Sequence, residues 1–461
     1  MRISTNMSAW ITCNQLRKND NSVSAALERL SSGYKINNAG DDPVGSAISN
    51  KMKAQIRGLS RANQNASDGI SVVQTAEGAL TEITAMLQRI RELSVQGASD
   101  INTEEDHASI MNEISQLEVE IDRIANDTEF NSKPLLNGSL SRDTYTNRVD
   151  VKVSYTSDNV KAGNYYLDVS EGTRATLTAG NAVNAFTVDG TISINGEGVN
   201  IKAGDKIEDV MAKVTAACDK TDVIISKGTG NSYTYTSKYI GASYQIEIEA
   251  SSPEIATQMG LNGATYTAGK NPEVQPDEFN TGGSGFSSSA IFIADGNEIT
   301  IKASEGFEMH VSLSDEFSGT HRRVQCYVLD TGTMTIQLGA NEAQEMEIEL
   351  PEITCKTLGI DKINAYTSKG SSNAITMCDK ALSMINQARS RIGAYENRLE
   401  SSISSLDVTE ENLTSALSRI KDVDMAEEMT NYTTQSVLSQ AATSMLSQAN
   451  QQPEKVLQLL Q

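Results

Sequence analysis

Two long stretches without proline lie towards the two ends of this chain and constrain its fold more than any other feature. Seven prolines occur among 461 residues, at positions 43, 134, 253, 272, 276, 351 and 453. The intervals 44–133 and 352–452 contain none, and both are rich in Ala, Leu, Ile, Gln, Glu, Ser and Arg. Most of these residues favour helices, whereas proline inside a helix costs about 3 kcal/mol. Each end of the chain is therefore predicted to be helical.

Apolar residues in the first stretch follow the three-four spacing of a helix that packs along one seam. Two rows step by seven, namely Met52, Leu59, Ala66, Val73, Leu80 and Leu87, and beside them Ala62, Gly69, Ala76, Ile83 and Ile90. A continuous helix over 45–98 would be about 80 Å long at 1.5 Å per residue. A second helix is predicted after the break "QGASDIN", with Thr103 as its N-cap and Asp106 as the reciprocal partner.

The second stretch repeats this pattern. One row steps by seven through Cys378, Ile385, Ile392, Leu399 and Leu406. A flanking row of Ile375, Leu382 and Ile403 is interrupted by Arg389 and Glu396. Two such seams each need a partner, so the simplest arrangement packs the N-terminal arm against the C-terminal arm. For the inner helices, a bundle within one chain would satisfy both seams.

The outermost segments, 1–32 and 410–461, are amphipathic, rich in Gln and Ser, and poor in large residues. Isolated helices of this kind are marginal in water. The C-terminal segment nevertheless carries a broad apolar face, formed by Val437, Leu438, Ala441, Ala442, Met445 and Leu446. Other copies of the same chain are the expected partners for these segments.

The middle of the chain has a different character. It is rich in Thr, Ser, Gly, Val and Ile and alternates in stretches such as "TISING", "YQIEIEA" and "NEITIKA". Turn signals include Asp189-Gly190, Asn195-Gly196 and Asp295-Gly296. These features predict short strands and hairpins, in one or two β-rich domains inserted between the arms.

Composition argues against several functional classes. Sixty acidic against 38 basic residues give a formal net charge of −22. This disfavours nucleic acid and anionic lipid, because binding to both depends on Lys and Arg. No stretch is long and apolar enough to suggest a membrane span or a cleaved signal peptide.

Signs of catalysis are lacking as well. The five cysteines and three histidines are scattered, without CxxC or HExxH, so no metal site is predicted. No P-loop or GxSxG occurs, and the Gly-rich stretch 280–289 is interpreted as a loop. No cofactor and no enzymatic activity are expected.

The stretch "SSGYKINNAGDDPVG" interrupts the helical pattern near the N-terminus. Glycines at 33, 40 and 45 permit backbone shapes that a helix forbids. Pro43 can start a new helix, and Asp41 or Asp42 can cap its free N–H groups. We interpret the stretch as an interdomain hinge, although a simple capping loop would look similar.

Long motifs at both ends resemble those of bacterial flagellins. At the N-terminal end these are "ALERLSSGYKINNAGDDPVGSAISNKMKAQIRGL", "QNASDGISVVQTAEGALTEITAMLQRIRELSVQGAS" and "EFNSKPLLNG". At the C-terminal end they are "ARSRIGAYENRLESSISSL", "NLTSALSRIKDVDMAEEM" and "QAATSMLSQANQQPEKVLQLL". Inside the insert, "ISINGEGVNIKAGDKIEDVMAKV" is similar to a β–β–α repeat of flagellin outer domains. The resemblance covers about 1–140 and 340–461.

The resemblance implies an α+β multidomain fold in which long helices from both ends pack together around a β-rich insert. Residues 1–44 with 410–461 would form the inner helical domain of a filament, and 45–140 with 340–409 the arm domain. Residues 141–339 would form the exposed insert. The implied function is a self-assembling subunit of the extracellular flagellar filament, which serves motility.

The resemblance also implies partners. The chain would form a helical homopolymer and leave the cell through the flagellar type III apparatus without a cleaved signal. An export chaperone would hold 410–461, and hook-associated and cap proteins would contact the polymer. A host Toll-like receptor would recognise the arm helices at the positions that match here, Arg89, Leu93 and Glu113.

Two alternatives remain open at this stage. A hook–filament junction protein shares the terminal helices but usually matches less well through "IRELSVQ" and "SRIKDVDMAEEM". An enzyme in the insert is the other, although the protease version found in some flagellins would need the zinc motif that is missing here.

Overall fold

The computed structural model describes residues 6–157, 159–277, 285–315 and 317–459. The first five and last two residues of the predicted inner domain, and 280–284 of the predicted loop, lie outside this description. The helices are α1 (Met7–Ser32), α2 (Pro43–Gly97), α3 (Glu104–Asp127), α4 (Ile207–Lys220), α5 (Pro253–Gln258), α6 (Cys355–Leu358), α7 (Ser368–Lys421) and α8 (Met425–Leu459), with a 3-10 turn at Ser304–Gly306. The predicted α+β fold is confirmed.

The strands lie between α3 and α7. They are β1 (Glu129–Phe130), β2 (Lys133–Pro134), β3 (Thr144–Thr146), β4 (Val151–Thr156), β5 (Gly163–Ser170), β6 (Thr176–Asn181), β7 (Gly190–Ile194), β8 (Glu197–Ile201), β9 (Val223–Lys227), β10 (Ser232–Ser237), β11 (Ile248–Ala250), β12 (Thr265–Thr267), β13 (Glu273–Pro276), β14 (Ile291–Asp295), β15 (Glu298–Lys302), β16 (Glu308–Leu313), β17 (Arg322–Val328), β18 (Met334–Gln337) and β19 (Glu345–Ile348). The larger sheets have the orders β12-β6-β10-β9, β11-β7-β8, β13-β5-β17-β3 and β14-β15-β16-β4. Their pairings are antiparallel, which hairpin connections allow.

The described chain forms two compact units. One comprises the described residues of Met1–Asp68, Gln337–Glu345 and Leu399–Gln461. The other comprises those of Gly69–Ile336 and Met346–Arg398, and thus the inner arm helices together with the insert.

In the second unit, α2 and α7 run antiparallel. Polar contacts show this, since residues later in α2 contact residues earlier in α7. Gln74 Nε2 donates to Glu396 Oε1 at 2.8 Å, and Arg91 Nε lies 2.7 Å from Asp379 Oδ1. Near the ends, a Cβ at Gly97 would lie 3.1 Å from Ser371 Cβ, so the two helices approach each other closely at this glycine. The predicted pairing of the two arms is confirmed.

The buried seam of α2 follows the predicted rows, with Val73, Ala76, Leu80, Ile83, Leu87 and Ile90 shielded from solvent. On α7 the predicted first row is buried at Cys378, Ile385 and Ile392. The predicted flanking row of Ile375, Leu382 and Ile403 is half-buried. A further row, not predicted, is buried and also steps by seven, through Ala374, Ala381, Ala388 and Tyr395. Arg389, predicted to interrupt the flanking row, pairs with Glu77 at 3.4 Å.

Helix α3 begins with the predicted capping box. The Thr103 side chain accepts a hydrogen bond from the Asp106 backbone N–H at 3.3 Å. The Asp106 carboxylate in turn accepts from the Thr103 backbone N–H at 2.9 Å. The hydrogen bonds that the carboxylate accepts from the Thr103 N–H and hydroxyl lower the pKa of Asp106, because they stabilise its charged form.

The insert contains two apolar cores. One is built around α4 and sheets β12-β6-β10-β9 and β11-β7-β8, with Phe186, Val210 and Tyr235 among its members. The other lies between sheets β13-β5-β17-β3 and β14-β15-β16-β4, with Leu167, Ile299 and Met309. The resemblance-based β–β–α repeat is present as β7, β8 and α4.

Of the three turns predicted in the insert, two are hairpin turns in the structure and one is not. At Asn195-Gly196 both residues have positive φ, 48° and 96°, as a two-residue hairpin turn requires. At Asp295-Gly296, Asp295 ends β14 and pairs with Glu298, so Gly296 lies in the hairpin turn as predicted. Asp189-Gly190 is not a hairpin tip, since Gly190 already belongs to β7.

Glu118 on α3 predicts a measurable pH dependence of stability. Burial raises the pKa of this carboxyl to about 7, and the charges of Asp361 and Asp122 add to the shift. Since the folded pKa exceeds the unfolded value of 4.5, the folded state binds more protons between these values and stability falls as pH rises through this window. Glu118→Gln is expected to raise the free energy of unfolding at pH 7.5 by about 1 kcal/mol, after discounting for partial exposure.

Thermal unfolding at pH 5 and pH 7.5, followed by far-UV circular dichroism, measures this effect. The control is Glu82→Gln, at an exposed position on α2. If the difference in unfolding temperature between pH 5 and pH 7.5 is the same in Glu118→Gln as in the unsubstituted chain, the raised pKa of Glu118 is contradicted.

Candidate assembly surface at the joined chain ends

Helices α1 and α8 pack against each other as an antiparallel pair within the first unit. Asn6 Nδ2 donates to the Ala449 carbonyl at 3.0 Å, and Ser439 Oγ donates to Asp20 Oδ1 at 2.7 Å. At the other end, Arg29 pairs with Glu428 at 3.4 Å. The two ends of the chain therefore form one structural element, although more than 400 residues separate them in sequence.

The predicted apolar face of α8 is divided between two surroundings. Ala442 is buried and Leu446 is half-buried. Val437 and Met445 are exposed, at 63% and 62%, and Leu438 and Ala441 are exposed beside them. The partner helix thus covers only part of the face, and the rest has no cover within the described chain.

Helix α1 is divided in the same way. Asn19 and Ala26 are buried, whereas Met7, Trp10, Ile11 and Leu27 are exposed, Trp10 at 64%. Met7, Trp10 and Ile11 follow helical spacing and share one side of α1, and groups of exposed apolar side chains mark interaction surfaces. We call the exposed residues Met7, Trp10, Ile11, Leu27, Val437, Leu438, Ala441 and Met445 the terminal face.

The predicted hinge lies between α1 and α2. Gly33 ends α1 with φ of 74°, and its N–H donates to the Arg29 carbonyl at 2.9 Å. The left-handed conformation explains glycine at this position. Pro43 is the first residue of α2, and Asp42 Oδ1 accepts from the N–H groups of Val44 and Gly45 at 3.1 and 3.0 Å.

The other predicted hinge residues have different local roles. Asp41 Oδ2 accepts from the N–H groups of Asn37 and Asn38, and these hydrogen bonds lower the pKa of Asp41. A Cβ at Gly45 would lie 2.7 Å from Ile36 Cδ1, so a larger residue there would require the Ile36 and Asp42 side chains to shift. Gly40 has neither a positive φ nor a neighbour that a Cβ would meet. A hinge function for these residues stays a prediction.

The connection between α1 and α2 is tied to the turn between α7 and α8. Lys35 N–H donates to the Lys421 carbonyl at 2.7 Å, and Val423 N–H donates to the Gly33 carbonyl at 3.0 Å. Tyr34 and Asp422, which lie between these hydrogen-bonded residues, form an isolated antiparallel β-bridge. The segments at the two chain ends are therefore joined by backbone hydrogen bonds as well as by helix packing.

One contact of the first unit was missed in the sequence. The turn between β18 and β19 packs on α2, where a Cβ at Gly58 would lie 2.8 Å from Ala340 Cβ. Asn65 Nδ2 donates to the Gln337 carbonyl at 3.2 Å nearby. A glycine within an otherwise helical pattern was the available signal for such a close approach.

Arg89 and Glu113 face each other across α2 and α3. Arg89 Nη2 lies 2.7 Å from Glu113 Oε1, which raises the pKa of Arg89, and Arg89 Nη1 lies 3.3 Å from Glu92. Both members of the main pair are about half exposed. Leu93, by contrast, has an exposed fraction of 2% and belongs to the core.

The chain is similar to known proteins along almost its whole length. Residues 3–141 match the bacterial flagellin N-terminal helical region, and 375–460 match the bacterial flagellin C-terminal helical region. A flagellin of Clostridium tyrobutyricum is 34% identical over 98% of this chain and 100% of its own length. The chain belongs to the bacterial flagellin family. A flagellin of Salmonella typhimurium (32% identical, 99% of each chain) and flagellin B of Vibrio anguillarum (30%, covering 100% of this chain and 99% of its own) are similar over comparable lengths.

As a flagellin, the chain is a structural subunit of the extracellular flagellar filament, and it is not an enzyme. Membership also implies that copies of the chain polymerise. No described helix combines the length and the apolar character needed to cross a bilayer. The terminal face is thus the uncovered surface of a subunit that assembles with itself.

Proposed function

We propose that the chain builds the filament by burying its terminal face between neighbouring copies, with 1–44 and 410–461 forming the inner wall. The main support for this proposal is the exposure of Trp10, Val437 and Met445 on helices whose opposite sides are already packed. Burial of apolar side chains stabilises by about 25 cal/mol per Å². Residues 45–140 with 340–409 form the surrounding arm domain, and 141–339 faces outward.

Seeded growth tests this proposal. Purified chain is dissociated by heat, mixed with short filament seeds, and examined by electron microscopy. Long uniform filaments that disperse again on heating are expected. Persistent monomers at every salt and protein concentration would contradict it and would favour a junction protein.

We also propose export through the flagellar type III apparatus, with a chaperone holding 410–461 beforehand and with hook-associated and cap proteins meeting the polymer. Exposed apolar side chains on α8 support this, because they need cover before assembly. Capture of a purified flagellar export chaperone should be lost when 410–461 is deleted. Undiminished capture would rule out this segment as the chaperone site.

Recognition by a host Toll-like receptor is proposed at the arm helices. Arg89 and Glu113 are accessible and paired with each other, whereas Leu93 lies in the core. Arginine is enriched among the residues that dominate interfaces, so Arg89→Ala is expected to weaken receptor binding at least about tenfold.

Surface plasmon resonance on the receptor ectodomain measures this effect. The matched control is Arg123→Ala, since Arg123 is an exposed arginine on α3 that is also paired with carboxylates, those of Glu120 and Asp127. Equal affinities for Arg89→Ala and the unsubstituted chain would exclude Arg89 from the receptor site.

A further inference from the structure

Two lysine side chains converge on one aromatic ring where the connection between α1 and α2 meets the end of α7. Lys421 Nζ lies 4.4 Å from the centroid of the Tyr34 ring, and Lys53 Nζ lies 5.8 Å from it. All three residues belong to the first unit. We call Lys53, Lys421 and Tyr34 the lysine cradle.

The cradle is held in place by the backbone. Tyr34 bridges Asp422, and Lys35 N–H donates to the Lys421 carbonyl at 2.7 Å. Lys421 ends α7, and Lys53 lies in the first part of α2. Both lysine side chains therefore project from helices rather than from a flexible loop.

The two ammonium groups of the cradle repel each other unless an anion neutralises them. The close approach of Lys421, burial, and the charges of Lys421 and Arg57 lower the pKa of Lys53. Within the described part of the chain, neither Lys53 nor Lys421 has a carboxylate within 4.0 Å. The charge of Asp422 opposes this lowering of the pKa of Lys53, but the Asp422 carboxylate accepts a hydrogen bond from Ser418 Oγ at 2.5 Å.

Intramolecular effects explain only part of this arrangement. A cation at the end of α7 is favoured by the helix dipole, and the face of the ring attracts each ammonium group. Neither effect accounts for bringing Lys53 next to Lys421. In a chain with 60 acidic and 38 basic residues, cations without carboxylate partners are unexpected, whereas exposed carboxylates are plentiful.

We propose that the lysine cradle accepts an exposed carboxylate of a second copy of the chain in the filament. This inference rests on the proposed function, because it needs neighbouring copies. Charge complementarity selects the occupant, since every copy has a net charge of −22 and carries 60 acidic residues. The contact would join subunits at the connection between the terminal helices and the arms, outside the terminal face.

Zero-length cross-linking tests this contact. Filaments grown from an equal mixture of ¹⁴N- and ¹⁵N-labelled chains are treated with a carbodiimide, which joins an amine only to a carboxylate in contact with it. Mass spectrometry of the digest should find peptides containing Lys53 or Lys421 joined to acidic peptides of the other isotope. Monomers treated at the same concentration should not yield them.

A double substitution measures the contribution of the contact. Lys53→Gln with Lys421→Gln is expected to raise the critical concentration for polymerisation by about three- to tenfold. Lys227→Gln, at an exposed lysine of the insert, is the control. Circular dichroism confirms that each variant folds.

The outcomes separate the cradle from the proposed function. Filaments without mixed-isotope cross-links at either lysine, or an unchanged critical concentration in the double variant, would overturn the cradle alone. If the unsubstituted chain forms no filaments, the proposed function fails, and this inference fails with it.

Discussion

Replacing Val437 and Met445 together with aspartate is expected to abolish filament growth while leaving the monomer folded. Both side chains are more than 60% exposed in the single chain, so the substitutions cost little on folding. In a polymer that buries this face, each carboxylate would lose water without gaining a partner, at a cost of several kcal/mol. Because each 1.4 kcal/mol is tenfold, the critical concentration should rise by at least about 100-fold.

The control places the same chemical change elsewhere. Val149 in the insert is fully exposed, so Val149→Asp should polymerise like the unsubstituted chain. Sedimentation at a series of protein concentrations gives the critical concentration for each variant. Normal growth of the α8 double variant would show that the terminal face is not buried between subunits.

Shortening a buried side chain in the arm core is expected to destabilise the helical part of the chain. Ile114 on α3 is fully buried, so Ile114→Ala removes apolar contacts and leaves a cavity. Such changes cost about 2–5 kcal/mol. Urea unfolding followed by helical circular dichroism should show a clearly lower midpoint.

Val119→Ala is the matched comparison, because Val119 lies on the same helix and is mostly exposed. Its midpoint should remain within the error of the measurement. Equal destabilisation by the two substitutions would mean that the assignment of the buried face of α3 is wrong.

The helical architecture could be predicted from sequence because its physical signals are local. Heptad spacing placed Val73, Leu80 and Leu87 on one buried face of α2, and the structure confirms this. Thr103 and Asp106 form the predicted capping box because both partners lie within one helical turn. The hairpin turn at Asn195-Gly196 could be predicted because this type of turn requires positive φ at both residues, which few other residue pairs tolerate.

Features that depend on distant contacts could not be predicted in the same way. The further buried row of α7 consists mainly of alanines such as Ala381 and Ala388, whose small size makes them easily overlooked as core residues. Hydrophobicity alone could not show that Ala442 meets α1 while Val437 stays exposed. The lysine cradle joins residues 34, 53 and 421, and no local pattern connects them.

The fluorescence of Trp10 during seeded growth tests the central claim most directly. It is the only tryptophan of the chain, and it belongs to the terminal face with 64% of its surface exposed. If this face is buried between subunits, the emission should shift to shorter wavelength and acrylamide quenching should decrease in step with filament length. Filaments that form while Trp10 remains as quenchable as in the monomer would contradict the account.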